Sequence, residues 1–279
     1  MTTSEPGPES PGALDAAEIS DSKSSSQQVQ AWLNKHGAAL EMEVASKMLV
    51  GPSTVEHSGY FRDPKTGKLR EFDVHSTFRK HMYVPAMSFE IHVIAECKAS
   101  DPPWVLYMAP DTFGARDWDF ETFFETSSHA AKTVRNLSSF SFAPLLRTAG
   151  PHAYQVAETA TKNSTPYAAV QQVLDAVEGI KASHVAADES VAQAPNSRET
   201  LPGLRIYVPV LITTSPLFEV RLSAIGEIEV TETHFAPLFT KRDRDGVVVD
   251  RLVWVAHQSA IDEVVRMAMS SLDTMNLES

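Results

Sequence analysis

The 279-residue sequence lacks the features that several classes of protein need. Its single cysteine, Cys97, excludes an internal disulfide and cysteine-rich metal motifs. No apolar run approaches the roughly 18 residues of a membrane-spanning helix. The N-terminus has no basic stretch followed by an apolar one, as a secretory signal would. No glycine-rich phosphate loop or Ser–His–Asp arrangement is visible. These absences predict a cytoplasmic protein in a reducing compartment, without membrane association.

The charge of the chain is acidic but unevenly distributed. The total of −12 argues against a protein that holds long duplex DNA tightly by itself. Residues 1–25 carry −4, residues 26–40 carry +1, residues 41–100 are neutral and residues 101–279 carry −9. The most informative motif lies in the neutral part, so the acidity of the remainder does not bear on it directly.

Composition divides the chain into a tail and one domain. Residues 1–25, rich in Ser, Pro and Glu, are expected to be disordered. Residues 26–279 are expected to form a single α/β domain with a mixed β-sheet flanked by helices. Residues 182–200 are polar and predict a loop or linker. Residues 110–160, whose first part is rich in Phe and Trp, indicate no clear element.

Periodicity predicts most of the regular elements. Apolar residues at helical spacing predict helices over 27–36, 38–50 and 166–181, and a last helix with Ser259 as its N-cap. Alternating or continuously apolar runs predict strands over 54–62, 69–78, 89–98, 104–108, 204–213, 217–222, 227–232 and 247–256.

The two strands over 69–78 and 89–98 each combine an apolar face with a charged one, as half-buried strands do. Asp73 is on the charged face of the first strand, and Glu96 and Lys98 share the charged face of the second. The opposite face of the first strand is predicted to hold Arg70, Phe72, Val74, Ser76 and Phe78.

Asp73, Glu96 and Lys98 have the chemistry of a site for a hard divalent cation beside a lysine. Mg²⁺ prefers oxygen ligands, and one or two carboxylates suffice when substrate phosphate supplies more; the backbone carbonyl of Cys97 could add another. Lys98 could position and help to deprotonate a metal-bound water, and stabilise charge developing on phosphate. Glu41 borders the apolar stripe of its helix and could reach the cation or its water. The alternative is that Glu96 and Lys98 form an ordinary exposed ion pair.

These pieces, in their order, resemble the PD-(D/E)XK, or restriction-endonuclease-like, nuclease superfamily over residues 38–108. A helix with a glutamate is followed by a strand, a turn, REFDV, and IAECKAS before PWVLY. The resemblance implies an αβββα core, to which the rest of the chain adds C-terminal strands and a helix. Asp73, Glu96 and Lys98 match the D, E and K, while Phe72 replaces the motif's proline, which carries no chemistry. The implied activity is hydrolysis of phosphodiester bonds, most often in DNA and less often in RNA. The implied cofactor is Mg²⁺, with Mn²⁺ as a substitute.

Several alternatives stay open. Glu41 fits the upstream acid of the superfamily best, and Glu43 is the other acid on that helix. The alternative function is a binding or regulatory protein that keeps a nuclease-like fold without turnover. The substrate's strandedness and sequence preference, a role in defence or repair, and the oligomeric state do not follow from the sequence. Paired cuts in duplex DNA call for two active sites, which a homodimer would supply, and a partner protein could supply DNA targeting.

Two further groups of residues have weaker claims to function. His75 and His92 are predicted on the same faces as the candidate site and could contact phosphate or metal. The basic residues Lys241, Arg242 and Arg244 are predicted in a loop beside two aspartates, as a solvated turn that could meet a phosphate backbone.

Overall fold

A computed structural model of the chain describes residues 24–51, 53–82, 87–109, 125–126, 151–159, 165–192, 204–244 and 246–274. The helices in these ranges are α1 (Ser25–Lys35), α2 (Ala38–Met48), α3 (Thr165–Ala192) and α4 (Ile261–Thr274), the last preceded by a 3₁₀ turn over Gln258–Ala260. The strands are β1 (Ser53–Arg62), β2 (Leu69–Met82), β3 (Met87–Lys98), β4 (Trp104–Met108), β5 (Glu125–Thr126), β6 (Ala153–Glu158), β7 (Leu204–Thr213), β8 (Leu217–Leu222), β9 (Ile228–Thr233), β10 (Phe235–Arg244) and β11 (Val247–His257). None of the helices in the described ranges is both long enough and apolar enough to cross a membrane.

The strands form one large mixed sheet, as the sequence predicts. Its order is β1-β2-β3-β7-β11-β10-β6-β4-β8-β9, and β5 pairs with β7. β1, β2 and β3 form an antiparallel meander, whereas β7 runs parallel to both β3 and β11. Parallel strands are usually covered on both faces, and β3 and β7 follow this rule because almost every residue of both is buried.

One face of the sheet is covered by α2 and α4. Leu40, Val44 and Met48 recur at helical spacing on α2 and are buried against β2, β3, β7 and β11. On α4 the predicted apolar stripe is buried in the same cluster: Ile261, Val264, Val265, Ala268 and Leu272. These contacts place the beginning of α2 close to the end of β3, where the candidate site lies.

The opposite face is covered by α3, which is longer than the sequence predicts. Its apolar stripe packs against Phe61, Phe72 and Ile94. The helix continues to Ala192, so the predicted loop is wrong over 182–192, and the rest of that prediction lies outside the described residues. Polar side chains in this extension contact polar side chains of the sheet, and those contacts are why a polar stretch is helical here.

The alternation of β2 breaks beside Asp73. Val74 and Phe78 lie in the core cluster under α2 and α4, but Phe72 lies in the cluster under α3. The predicted common face for Phe72 and Val74 is therefore wrong. The break coincides with an irregularity in β1: Ser58 has φ +53° and stands between the paired residues His57↔Val74 and Gly59↔Phe72.

Other differences lie at element boundaries. The predicted disordered tail, 1–25, lies almost entirely outside the described residues. α1 begins at Ser25, after a capping box in which the Ser24 hydroxyl accepts from the Gln27 N–H at 3.3 Å. Ser259 is not the N-cap of the last helix, because it lies within the 3₁₀ turn and α4 begins at Ile261. Residues 110–160, in which the sequence indicates no clear element, lie largely outside the described ranges, apart from β5 and β6.

Candidate active site

Asp73 lies at the point where β2 and β3 stop pairing. The last pair in the antiparallel register is Val74↔Ala95, so one further step places Asp73 opposite Glu96. The Cys97 N–H donates a 2.7 Å hydrogen bond to Asp73 Oδ2, which holds the carboxylate against the end of β3. The two strands therefore pair in the register that the sequence hypothesis requires.

Glu96 and Lys98 form a close pair on the same strand. Lys98 Nζ donates to Glu96 Oε1 at 2.5 Å. Glu96 is only 5% exposed and the Lys98 side chain is 25% exposed, which rules out the exposed surface pair of the alternative interpretation. The Lys98 carbonyl accepts from the Thr213 hydroxyl at 3.0 Å, so the end of β3 is fixed to the end of β7.

Glu41 approaches the site from the first turn of α2. The turn begins at Gly37, the N-cap, whose φ of +80° favours glycine. A β-carbon added at Gly37 would lie 3.9 Å from Glu41 Oε1 and 3.8 Å from the β-carbon of Ala99, so the Glu41 carboxylate and the residue after Lys98 meet around this glycine. Glu41 Oε2 lies 3.4 Å from His57 Nε2.

Glu43 lies away from this cluster. Its carboxylate is 43% exposed and pairs with Lys47 at 2.9 Å along the helix surface. The Glu41 carboxylate is 21% exposed, and its negative charge helps to raise the pKa of both Asp73 and Glu96. Of the two acids that the sequence leaves open, the structure brings Glu41 to the site.

The carboxylates of the site are close enough to oppose one another's ionisation. Burial, the Glu96 charge and, less strongly, the Glu41 charge raise the pKa of Asp73 to about 7, although the Cys97 N–H and Lys98 lower it in part. Burial also raises the pKa of Glu96, although Lys98 lowers it in part. Both acids are therefore harder to ionise than an exposed carboxyl.

The acids do not form a preassembled metal-binding site. Among the described residues, no group of three or more His, Cys, Asp or Glu side chains is placed to hold a metal ion. The three carboxylates have other partners: the Cys97 N–H for Asp73, Lys98 for Glu96 and His57 for Glu41. What the structure brings together is a pair of neighbouring acids, a lysine and a third acid at the border.

Burial raises the pKa of the Cys97 thiol well above its usual range, and the Asp73 charge adds to the effect. The thiol is 6% exposed, so it is not a nucleophile at neutral pH.

His75 and His92 belong to a separate buried network. His75 Nε2 lies 2.9 Å from His92 Nδ1, and His92 Nε2 lies 3.2 Å from Glu90 Oε2. The two rings also pack near His184 of α3, whose Nδ1 lies 2.9 Å from the Tyr207 hydroxyl. Burial lowers the pKa of His75 to about 3 and of His184 to about 4, so both are neutral at physiological pH. These contacts engage one ring nitrogen of His75, one of His184 and both of His92 within the protein.

Glu90 anchors this network with two arginines. Its carboxylate accepts from Arg79 Nε at 2.7 Å and from Arg205 Nε at 3.0 Å. Burial alone would raise its pKa, but the His92 hydrogen bond and charge and the two arginines lower it to about 2. Arg205 also donates to Asp188 of α3 at 2.6 Å. Sequence reasoning missed Glu90, Arg205 and Asp188, because no local pattern joins residues so far apart.

The basic cluster near 241–244 is not a solvated loop. Arg242 lies within β10 and is 4% exposed. Its guanidinium pairs with Asp175 and with Glu178 of α3, the latter at 3.0 Å. This arginine therefore joins α3 to the sheet, and the prediction of a phosphate-facing turn is wrong for it.

No family model, no curated protein and no solved structure matches this chain. The interpretation of the site consequently depends on its own geometry and chemistry.

Proposed function

We propose that this protein is a Mg²⁺-dependent nuclease with a restriction-endonuclease-like core over residues 38–108. The observation that carries the proposal is the pairing of β2 and β3, which sets Asp73 beside Glu96 and Lys98 at one end of two central strands. The order α2, β1, β2, β3 supports the proposal for the first four elements of the implied αβββα core, whereas β4 follows β3 where a helix is implied.

The donor set fits a hard cation. Asp73 and Glu96 are oxygen ligands of the kind Mg²⁺ prefers, and two carboxylates plus phosphate oxygens and water complete its coordination. The Cys97 carbonyl and Glu41, directly or through water, would be the additional ligands. Because the charges of these acids oppose one another when buried, a divalent cation would favour their ionised forms.

Lys98 would act on the substrate. Its ammonium group offers three N–H donors, and one is used by Glu96 at 2.5 Å. The remaining donors can hold an attacking water and a phosphate oxygen, which stabilises the negative charge that develops during hydrolysis. Bound Mg²⁺ would supply further charge stabilisation on the phosphate. Glu96 would keep Lys98 oriented, since the pair lies at the fixed end of β3.

Cleavage assays test the proposal directly. Plasmid, linear and single-stranded DNA and RNA are incubated with Mg²⁺ or Mn²⁺. Wild-type protein should cut at least one of them, and Lys98→Ala should lower kcat by about 10²–10⁴-fold. Lys47→Ala, a lysine paired with Glu43 on the surface of α2, is the matched control and should cut as wild type does. If no substrate is cut, or if Lys98→Ala retains wild-type activity, the proposal is wrong.

The second candidate is a binding or regulatory protein that keeps this fold without turnover. Two observations favour it: the net charge of −12 and the lack, among the described side chains, of a preassembled group of three metal ligands. Calorimetry with Mn²⁺ separates the two candidates. Binding that is lost in Asp73→Asn and Glu96→Gln supports the nuclease, whereas no binding at any concentration supports the scaffold.

A further inference from the structure

α1 is a helix with very little packing of its own. Of its side chains whose exposure is described, all are exposed except Leu33, which is half-buried. An isolated helix of this length is marginal in water, and the capping box at Ser24 adds only a small stabilisation. A helix held so weakly is expected to gain a partner when the protein functions.

The exposed face of α1 carries an apolar stripe. Val29 and Trp32 are each 57% exposed, and they are three residues apart, so they are neighbours on the helix surface. The ring of Trp32 lies 4.8 Å from the ring of His36, one turn further on. Val29, Trp32 and His36 form a stripe about 10 Å long, at 1.5 Å of helix rise per residue; we call it the α1 stripe. Trp32 therefore presents more than half of its side chain to solvent, where it can stack on a ligand.

The α1 stripe leads to the candidate active site. His36 is followed by Gly37, around which Glu41 and Ala99 meet. Ala99 is the residue after Lys98, so the stripe ends at the turn that contacts the end of β3. A ligand lying along the stripe would therefore lead to the end of the strand that carries the proposed catalytic lysine.

The charge around α1 suits a polyanion. The helix contains no Asp or Glu, and Lys35 is the single charged residue between 26 and 40. Residues 1–25 carry −4 and residues 101–279 carry −9, whereas residues 41–100 are neutral. The other side chains of α1 are mainly hydrogen-bonding groups of Gln, Ser and Asn, which suit contacts to sugars and base edges. α1 therefore adds no negative charge beside the site.

We infer that α1 is a docking element for single-stranded nucleic acid, in which Trp32 stacks on an unpaired base next to the site of cleavage. Every base has a π-face, so stacking tolerates any sequence, whereas a base within a duplex is already stacked on its neighbours. The inference rests on the proposed function for the position of the scissile phosphate, and it adds the substrate class: a strand with an unpaired segment.

Binding to a short fluorescein-labelled oligonucleotide tests the inference in the full-length protein. Fluorescence anisotropy is measured with Ca²⁺ in place of Mg²⁺, for the single strand and for the blunt duplex. Trp32→Ala should weaken single-strand binding by about 5- to 150-fold, and Trp32→Phe, which keeps an aromatic face, by less than about threefold. Binding of the duplex should stay within about twofold for both variants. The matched control is Tyr167→Ala, an aromatic that is 56% exposed on α3, and it should bind as wild type.

Trp32 fluorescence gives a second readout. Subtracting the emission of Trp32→Phe from that of wild type isolates Trp32. Iodide should quench this difference signal in the free protein, and the single strand should protect it. If the signal is already shielded in the free protein, another part of the chain covers Trp32 and the inference is wrong.

The same variants separate this inference from the nuclease proposal. With Mg²⁺, Trp32→Ala should raise KM for a single-stranded substrate by about the factor seen in binding, with kcat nearly unchanged. If cleavage occurs and Trp32→Ala leaves KM and affinity unchanged, the nuclease stands and the docking role is overturned. If nothing is cut but single strands bind in a Trp32-dependent way, the docking role stands and the nuclease fails. If wild type binds no single strand, the docking role is wrong.

Discussion

Replacing Asp73 by asparagine should stabilise the metal-free protein. Asparagine has nearly the same shape, and its side-chain oxygen can still accept the Cys97 N–H that now donates to Asp73 at 2.7 Å. What the substitution removes is a negative charge held next to Glu96 in a half-buried position. Most substitutions at a buried polar position destabilise, so an increase in stability is a distinctive result.

The size of the effect follows from the pKa. Burial and the neighbouring acids raise the Asp73 pKa from 3.8 to about 7. A tenfold change in proton affinity corresponds to 1.36 kcal/mol, so a full shift of this size equals about 4 kcal/mol. Because the Glu96 charge is one cause of this shift and Glu96 remains in the variant, we expect Asp73→Asn to gain about 2–4 kcal/mol at pH 8.

The pH dependence has a definite sign. A carboxyl with a raised folded-state pKa stabilises the fold below its unfolded pKa, and this contribution is lost as pH rises through the folded value. The contribution of Asp73 to wild-type stability should therefore be lost between about pH 4 and pH 7, and Asp73→Asn should lack this component, so the stability difference between the two proteins should grow with pH. The advantage of the variant should fall to about 1–2 kcal/mol at pH 5.

Urea unfolding in EDTA at pH 5, 6, 7 and 8 measures this difference. Glu43→Gln, at an exposed acid of α2, is the control and should stay within about 0.5 kcal/mol of wild type. Adding Mn²⁺ at 100 times its Kd should stabilise the wild type by about 2.7 kcal/mol and leave Asp73→Asn unchanged. A variant that is less stable than wild type at pH 8 in EDTA, or a gain that does not change with pH, would refute the electrostatic reasoning.

Three further substitutions test the network and the packing that support the site, all by urea unfolding. Glu90→Gln should destabilise by about 2–3 kcal/mol at pH 7, and the difference should shrink as pH falls from 4.5 towards 2, because the folded-state pKa of Glu90 is lowered to about 2. Arg242→Met should cost about 3–5 kcal/mol by removing the buried guanidinium that pairs with Glu178 and Asp175, of which only Asp175 has a second arginine among the described residues, Arg70, whereas the exposed Arg266→Met should change stability by less than about 0.5 kcal/mol. Gly179→Ala should cost about 1–3 kcal/mol, because its β-carbon would lie 2.2 Å from the Phe61 ring; Phe61→Leu in the same chain should recover part of that loss. If Glu90→Gln or Arg242→Met is as stable as wild type, the ion pairs do not stabilise the fold as stated. If Phe61→Leu recovers none of the stability lost in Gly179→Ala, the clash with the Phe61 ring is not the cause of that loss.

The site residues could be predicted because their relationship is local. Glu96 and Lys98 are two residues apart on one strand, and period-two alternation brings such residues to one side. Asp73 is brought to Glu96 by the pairing of adjacent strands joined by a single connection, and the apolar pattern that buries Val74 beside Ala95 fixes that register. Helical spacing places Glu41 at the border of the apolar stripe but leaves Glu43 as an alternative, and only the structure brings Glu41 to the site.

The polar face of these strands could not be predicted as buried. In the sequence Glu90 and His92 look like the solvent side of a strand. Their burial depends on Arg205, which is 115 residues from Glu90 along the chain, and on His184 of α3. A polar side chain is buried in a protein when a hydrogen-bond or ion-pair partner is buried with it. The periodicity of a single sequence contains no information about partners that are so distant along the chain.

The extension of α3 was missed for a related reason. Residues 182–192 are polar and end near a proline-containing segment, so they resemble a loop. They also contain four alanines, and alanine is the best helix former. His184 and Asp188 are four residues apart, so they lie on one side of the helix, and they contact Tyr207 and Arg205 of the sheet. The side of this helical extension that faces the sheet is therefore defined by polar contacts and not by an apolar stripe.

The two acidic clusters on β2 and β3 differ in how their charge is balanced, and this difference bears on function. Glu90 is matched by Arg79 and Arg205, so its pKa is lowered, as expected for an acid whose role is structural. Asp73 and Glu96 lie on the same two strands, yet their pKa values are raised, because Lys98 does not offset two neighbouring acids and burial. An acid pair that destabilises the fold at neutral pH does not serve to hold the structure together. A divalent cation bound between the two acids would offset their negative charges and stabilise the site.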